Sequence, residues 1–385
     1  MQNFEYHNPA WIVFGKGTIG KLANLLDPSE KILLLYGGGS IMKNGVYDQV
    51  MAALKGRDVR EFGGIEVNPR YETCMHAVEV VQRDGVDFVL AVGGGSVLDA
   101  AKFIAAAARY KGDDPWDILT SGGSVVKTAV SLGSVMTLPA TGSEMNCFSV
   151  ISRQSTDEKL AFGQPSVYPV FSILDPETTF SLPRKQLRNG LVDAFAHVME
   201  QYTTYDVNTP LQDRQAEAVV RTLIEIAPDV LNKTNDYDSR ANFMWGATHA
   251  LNGILSCGVV QDWTTHSIGH ELTAFFGLDH AETLAIVMPA LWQHQFDHKK
   301  QKLAQLARRI WHETQGDTDS QARAAIDKTV AFFHSMDMPT RLADYKISKK
   351  DIEKVVERFR KRGDTVGEHK NITADTIAVI LKLSL

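Results

Sequence analysis

The first half of the chain alternates short, almost continuous apolar runs with stretches of helical period. Trp11-Ile12-Val13-Phe14 reads as a strand, and Gly15-Lys16-Gly17 leads into a helical stretch near Thr18 to Leu26. Lys31-Ile32-Leu33-Leu34-Leu35-Tyr36 is apolar at nearly every position, the pattern of a strand buried on both faces of a parallel sheet. It ends in Gly37-Gly38-Gly39-Ser40, and the spacing of Val46, Val50 and Leu54 predicts the helix that follows. A short strand at Asp58 to Phe62, a turn at Asn68-Pro69 and a helix at Tyr71 to Asp84 come next. The phrase then recurs: Phe88 to Val92, Gly93-Gly94-Gly95-Ser96, and a helix from Val97 to about Ala108. Further strands are expected at Val125 to Ala129, Val135 to Leu138 and Val170 to Leu174. Strand, glycines and helix, given twice, predict a doubly wound, Rossmann-like α/β sheet.

From about Leu182 the pattern changes to long helical periods: Gly190 to Thr203, Leu211 to Leu231, Ser239 to Leu255, Thr264 to Phe275, His280 to His294, and a charged helical tail from Lys299. A chain of 385 residues has room for two domains. The expected division is an α/β dinucleotide-binding domain over 1–182 and an all-helical metal-binding domain over 183–385.

Composition narrows the partners more than the fold. The net charge is −6 with no basic block, which argues against nucleic acid, whose binding draws on clustered positive charge. No apolar run approaches the roughly 20 residues that span a bilayer. Three widely spaced cysteines (Cys74, Cys147, Cys257) without CxxC pairing, and an N-terminal stretch without signal-peptide layout, lead to the expectation of a cytoplasmic protein.

Two glycine loops carry the first chemistry. A glycine-rich turn between strand and helix lets backbone approach a phosphate, and the helix N-terminus offers free N–H groups. Gly93-Gly94-Gly95-Ser96 fits that context, although neither loop is a GxGxxG or Walker sequence, and a tight turn is the plain alternative. Ser96-Val97-Leu98-Asp99 is also a capping-box pattern, as is Thr141-Gly142-Ser143-Glu144. The first loop, Gly37 to Ser40, has no carboxylate to accept from an adenosine ribose, and Lys43 follows it. Room for a 2′-phosphate leads to an expected NADP(H) preference.

The second candidate is a set of histidines. Asp193 and His197 are four apart, as are His266 and His270, and His280 follows shortly. Residues four apart share a helix face, so each pair aims two ligands at one point. Leu191, Val192, Ala194, Phe195, Ala196 and Val198 surround the first pair with apolar positions, and a buried Asp and His need something to satisfy them; a divalent transition metal does so. His270-Glu271 only begins like HExxH, which argues against a zincin protease. His249, on an apolar helix near Trp245, reads as core.

With these motifs in hand, the chain resembles the iron-containing (group III metal-dependent) alcohol dehydrogenase family, most of all its NADPH-dependent aldehyde reductases and butanol dehydrogenases. The likeness rests on Phe14-Gly15-Lys16-Gly17, Gly93 to Asp99, Leu138-Pro139-Ala140-Thr141-Gly142-Ser143-Glu144, Asp175-Pro176, Asp193 to His197, the His266/His270/His280 set and the closing Asn371-Ile372-Thr373. The resemblance implies a dehydroquinate synthase-like architecture and one divalent metal, Fe2+ or Zn2+, on Asp193, His197, His266 and His280, with His270 beside the nicotinamide as a candidate catalytic proton relay. It implies cofactor contacts from Gly37, Gly38, Ser40, Asn68, Gly94, Gly95, Ser96, Asp99, Thr137, Thr141, Asn146 and Lys159. The helical lobe is then expected to supply the metal and the α/β lobe the nicotinamide. Val67 departs from the family, where Pro is common. The implied activity is reversible NADPH-dependent reduction of aldehydes to primary alcohols by a homodimer. A dehydroquinate-synthase-like metal/NAD lyase and a non-catalytic nucleotide-binding protein are the rival readings. Phe148, Phe162, Leu255 and Trp263 are candidates for an apolar substrate pocket or for core.

Overall fold

The computed structural model describes residues 1–385. The chain forms two compact units, one of residues 7–183 and 232–252, the other of residues 1–6, 184–231 and 253–385. The contiguous part of the first ends where the helical pattern begins, and one excursion, which includes the helix Tyr237–Ala250, belongs to the α/β unit although its period reads as part of the helical half.

The α/β unit is built on six parallel strands in the order β1-β8-β5-β4-β2-β3: β1 (Trp11–Phe14), β2 (Lys31–Tyr36), β3 (Asp58–Phe62), β4 (Phe88–Gly94), β5 (Ser131–Leu138) and β8 (Phe171–Leu174). Between β5 and β8 the chain makes an antiparallel hairpin, β6 (Phe148–Arg153) with β7 (Glu158–Gly163). The apolar runs of β2 and β4 feed two cores. Leu33, Leu35, Val89 and Ala91 enter one cluster, while Ile32, Leu34, Leu90 and Val92 enter another. Alternate side chains point to opposite faces, so an unbroken apolar run requires cover on both sides. The expected strand at Val125 to Ala129 is irregular loop; the strand begins at Ser131, where pairing with Phe88 starts.

The strand order fixes where a ligand belongs. From β2 the chain goes to β3 on one side, and from β4 to β5 on the other, so the winding reverses between the paired strands β2 and β4. Open α/β sheets bind ligands outside the carboxyl ends of strands at such a switch point. Both glycine loops lie there, since Gly37 follows β2 and the second loop closes β4.

In the helical unit Ile268, Leu272, Ile286, Val287 and Leu291 share a core with Val355, Phe359, Ile377 and Leu381 from the tail. No helix of the chain is long and apolar enough to cross a membrane.

Candidate functional site

The helix Arg184–Tyr202 carries Asp193 and His197 on one buried face, one helical turn apart. A second helix, Thr264–Phe276, carries His266 and His270 and stops at Gly277, whose φ of 68° is a left-handed cap that costs glycine nothing. A short turn leads to His280, the first residue of the helix His280–His294, where Asp279 and Glu282 form a capping box. The two helices approach closely: a Cβ on Gly269 would stand 2.6 Å from Thr283 Oγ1. Lys185 (2.7 Å) and Asn189 (3.1 Å) bind the Asp279 carboxylate, which ties the start of this last helix to the one bearing Asp193.

These elements bring one ligand atom each from Asp193, His197, His266 and His280 within 4.8 Å of one another. Asp193 Oδ1 lies 3.5 Å from His280 Nε2 and 3.8 Å from His197 Nε2, wide for hydrogen bonds. Ligands at about 2.1 Å from one ion in tetrahedral array stand about 3.4 Å apart, so the spacing suits a shared cation. His197 Nδ1 is sealed from solvent and has no hydrogen-bond partner, and burial pushes the His197 ring down to about 4, leaving it neutral as a metal ligand must be. The His197 and His266 rings stack with centroids 4.8 Å apart, and Trp263 packs edge-on to His266 at 5.1 Å. The residues fit a divalent metal, and the chemistry of three imidazoles with one carboxylate suits a first-row ion.

His266 has a partner that sequence reasoning missed. Glu200 Oε1 accepts from the His266 backbone N–H at 3.0 Å and lies 3.1 Å from His266 Nδ1. Burial, with Asp262 next in effect, raises the Glu200 carboxyl well above the usual range. The signal was present: Asp193, His197 and Glu200 stand at i, i+4 and i+7, the polar positions of an otherwise apolar stretch over residues 190–200.

In the α/β unit the glycines of the second loop are required by packing. A Cβ on Gly94 would meet Leu138 Cβ at 2.9 Å, and one on Gly95 would meet Thr141 Oγ1 at 2.6 Å. Close packing therefore accounts for the glycines by itself, while the helix Gly95–Ala107 starts with no capping side-chain hydrogen bond. Neither capping box forms there. Helix 95–107 begins one residue before Ser96, so Asp99 instead accepts from Ser143 Oγ at 2.9 Å and Val150 N–H at 3.1 Å. Glu144 is buried and accepts from Thr248 Oγ1, with burial raising its carboxyl.

The family profile described as iron-containing alcohol dehydrogenase matches residues 9–176, and its C-terminal counterpart matches residues 189–385. The NADPH-dependent aldehyde reductase YqhD of Escherichia coli is 52% identical over 377 residues, 97% of both chains. A probable NADH-dependent butanol dehydrogenase of Bacillus subtilis is 44% identical over 390 residues, the whole of both. A crystal structure of E. coli YqhD superposes with a TM-score of 0.98 at 50% identity, covering 100% of this chain and 99% of that one. The chain belongs to the iron-containing alcohol dehydrogenase family.

Within this iron-containing alcohol dehydrogenase the remaining expected residues fall as follows. His270 stays outside the four-ligand group but beside it, its ring 5.4 Å from that of His280. Thr137 is buried on β5, and Thr141 Oγ1 receives the Ser143 N–H at 3.3 Å. Asn146 spends its amide on the protein: it donates to the carbonyls of Thr141 and Leu251 and accepts from Lys102 Nζ and Phe148 N–H. Lys159 Nζ donates to Asn68 Oδ1 at 2.8 Å, and Asn68 itself has a φ of 61°. Gly38 and Gly39 face open space. His249 is half-buried against Trp245 and is not a member of the four-residue group. Phe162 and Leu255 are core, Phe148 is exposed, and Trp263 borders the ligand rings.

Lys102 is the other residue the sequence reading passed over. It is fully buried, and its Nζ donates to Ser143 Oγ, Asn146 Oδ1 and the Phe148 carbonyl at 2.7–3.0 Å. Burial pushes its ammonium down to about 8 against the pull of Asp99. A lone lysine on an apolar helix, three residues after an aspartate, was the available cue.

Proposed function

We infer that this enzyme reduces aldehydes to primary alcohols with NADPH, and runs in reverse with alcohols and NADP. The observation that carries the reading is the four-ligand cluster, with three of its members buried, in a chain whose sheet places two glycine loops at its switch point. When bound, the metal and NADPH supply Lewis-acid polarisation of a carbonyl oxygen and a hydride.

The chain's own residues do the rest. Asp193, His197, His266 and His280 would hold the ion, three imidazoles and one carboxylate that suit a divalent first-row metal. Gly94, Gly95 and Ser96 offer backbone N–H groups to the pyrophosphate, and Gly37, Gly38 and Ser40 take the adenosine end. Asp99, Thr137, Thr141, Asn68 and Lys159 complete the cofactor contacts, whereas Asn146, its amide saturated, holds the loop in shape. Trp263 keeps water from one side of the rings, and His270 moves a proton to the product oxygen. Preference for NADPH is supported by the open Gly38-Gly39 surface with Lys43 on the short helix behind it. A homodimer is supported by the edge strand β1, which leaves Trp11 63% exposed, and a reducing compartment by three free cysteines.

The test is NADPH oxidation against a panel of aldehydes with metal analysis on the same sample. Metal-dependent turnover with NADPH well ahead of NADH is the expected result. Turnover that survives complete metal removal, or a clear NADH preference, contradicts the corresponding part of the reading. Sedimentation analysis settles the dimer.

A further inference from the structure

We propose that Glu200 is a positioning residue that fixes the ring of His266, holding its proton on Nδ1 and so presenting Nε2 to the metal. The proposal rests on the metal reading above and adds a residue that the four-ligand set does not contain.

The assignment follows from donor and acceptor bookkeeping. Glu200 Oε1 receives the backbone N–H of His266 at 3.0 Å, so that oxygen acts as an acceptor whatever the charge on the carboxyl. The same Oε1 lies 3.1 Å from His266 Nδ1. With the carboxyl ionised, or carrying its proton on Oε2, Oε1 meets Nδ1 favourably only if Nδ1 also carries a hydrogen, and a metal on Nε2 selects the same arrangement by taking that nitrogen's lone pair. A neutral imidazole has one N–H, so the free lone pair is then on Nε2. Metal-bound imidazoles in general give their second ring N–H to a carboxylate or carbonyl, which fixes ring orientation and raises ligand basicity.

Glu200 is itself held. It is 3% exposed, and its carbonyl receives the Asp262 N–H at 2.9 Å. Asp262 accepts from the Thr264 N–H at 3.0 Å and from Thr264 Oγ1, at the start of the helix that carries His266. The buried Lys299 clamps this corner, donating to Asp262 Oδ2 at 2.6 Å, Glu368 Oε1 at 2.8 Å and the Thr203 carbonyl at 2.7 Å. Three chain segments thus meet on one lysine, and the carboxylate facing His266 has little freedom to turn away.

The experiment uses the full-length chain loaded with zinc, in wild-type form and as Glu200→Gln and Glu200→Leu. Nitrogen-15 spectra of the histidine rings read the tautomer, and competition with a chelating indicator reads zinc affinity. The expected wild-type result is His266 protonated at Nδ1 with zinc on Nε2. Glu200→Gln, which keeps an acceptor oxygen, is expected to keep that tautomer and bind zinc within about tenfold of wild type, while Glu200→Leu weakens binding about 10- to 100-fold. A residue with only a structural role would lower the melting temperature and leave zinc affinity and tautomer alone. Zinc on Nδ1 of His266, or wild-type affinity in Glu200→Leu, overturns the proposal. If Glu200→Leu does not fold, the wild-type and Glu200→Gln spectra decide, with a lost Nδ1–H in either one counting against it. Failure of the wild-type chain to take up zinc, iron or cobalt is a different outcome, since it removes the metal reading itself.

Discussion

At the scale of single residues, the candidate metal ligands and the first glycine loop make the sharpest predictions. His197 sits near 4 when folded against about 6.5 when unfolded, so between those values the unfolded chain binds the extra proton. Its contribution to stability is therefore complete above pH 6.5 and is lost as pH falls towards 4, at up to about 1.4 kcal/mol per pH unit. Urea titrations of the metal-free chain at pH 7.5, 6 and 5 should show this loss, and His197→Gln should flatten it; an unchanged slope in the variant would assign the acid sensitivity elsewhere. The second prediction concerns Gly38, which has open space and an ordinary φ, unlike Gly39 at 88°. Gly38→Asp introduces a carboxylate without strain where a 2′-phosphate is expected. It should cut the NADPH/NADH ratio of kcat/KM by about tenfold or more through like-charge repulsion. An unaltered ratio would place the adenosine ribose away from this loop.

Elements matter through what pins them. The helix Gly95–Ala107 and the segment from Ser143 to Phe148 are joined by Lys102, and Asp99 accepts from the same segment. Lys102→Met keeps most of the volume but strips three hydrogen bonds and leaves Asp99 without its nearest cation, so a loss of about 3–4 kcal/mol is expected in denaturant unfolding. If the loop is positioned by this lysine, KM for NADPH should rise as well; a loss of stability with unchanged KM would show that the helix alone sets the loop. These connections explain why the motifs were legible and their supports were not. Asp99, Thr141 and Glu144 stood out as motif members, but the pairing of Glu144 with Thr248 joins residues 104 positions apart, which no local pattern encodes. The strand expected at Val125 to Ala129 failed for the related reason that pairing with β4 fixes where β5 starts.

On the scale of the whole molecule, each unit carries its own candidate set: the four residues proposed to hold the metal and Glu200 lie in the helical unit, and the glycine loops in the α/β unit. Ligands that bind only the folded state stabilise it by about 2.7 kcal/mol at a hundred times Kd. Hydrogen exchange should therefore separate the two sites. Zinc should protect the helices Arg184–Tyr202 and Thr264–Phe276, and NADPH should protect the turns at residues 37–40 and 93–99. Protection of the glycine loops by metal alone, with no nucleotide added, would contradict that division of labour.

The sequence by itself determined the parts of this protein that are written in periods and short spacings. Apolar runs buried on both faces specify a parallel sheet, two glycine phrases mark its candidate ligand-binding turns, and the i, i+4 pairs at Asp193/His197 and His266/His270 put candidate ligands on shared helix faces. Spacing alone left open which of those side chains converge, and the tertiary structure brings together the set that the family resemblance implied. It set His266 and His280 beside Asp193 and His197 and left His270 alongside, gave the helix Tyr237–Ala250 to the α/β unit, and placed Glu200 and Lys102 under the sites they support. The reason is physical: period and propensity are local, whereas a buried polar group is satisfied by whatever the fold brings to it, often from far along the chain.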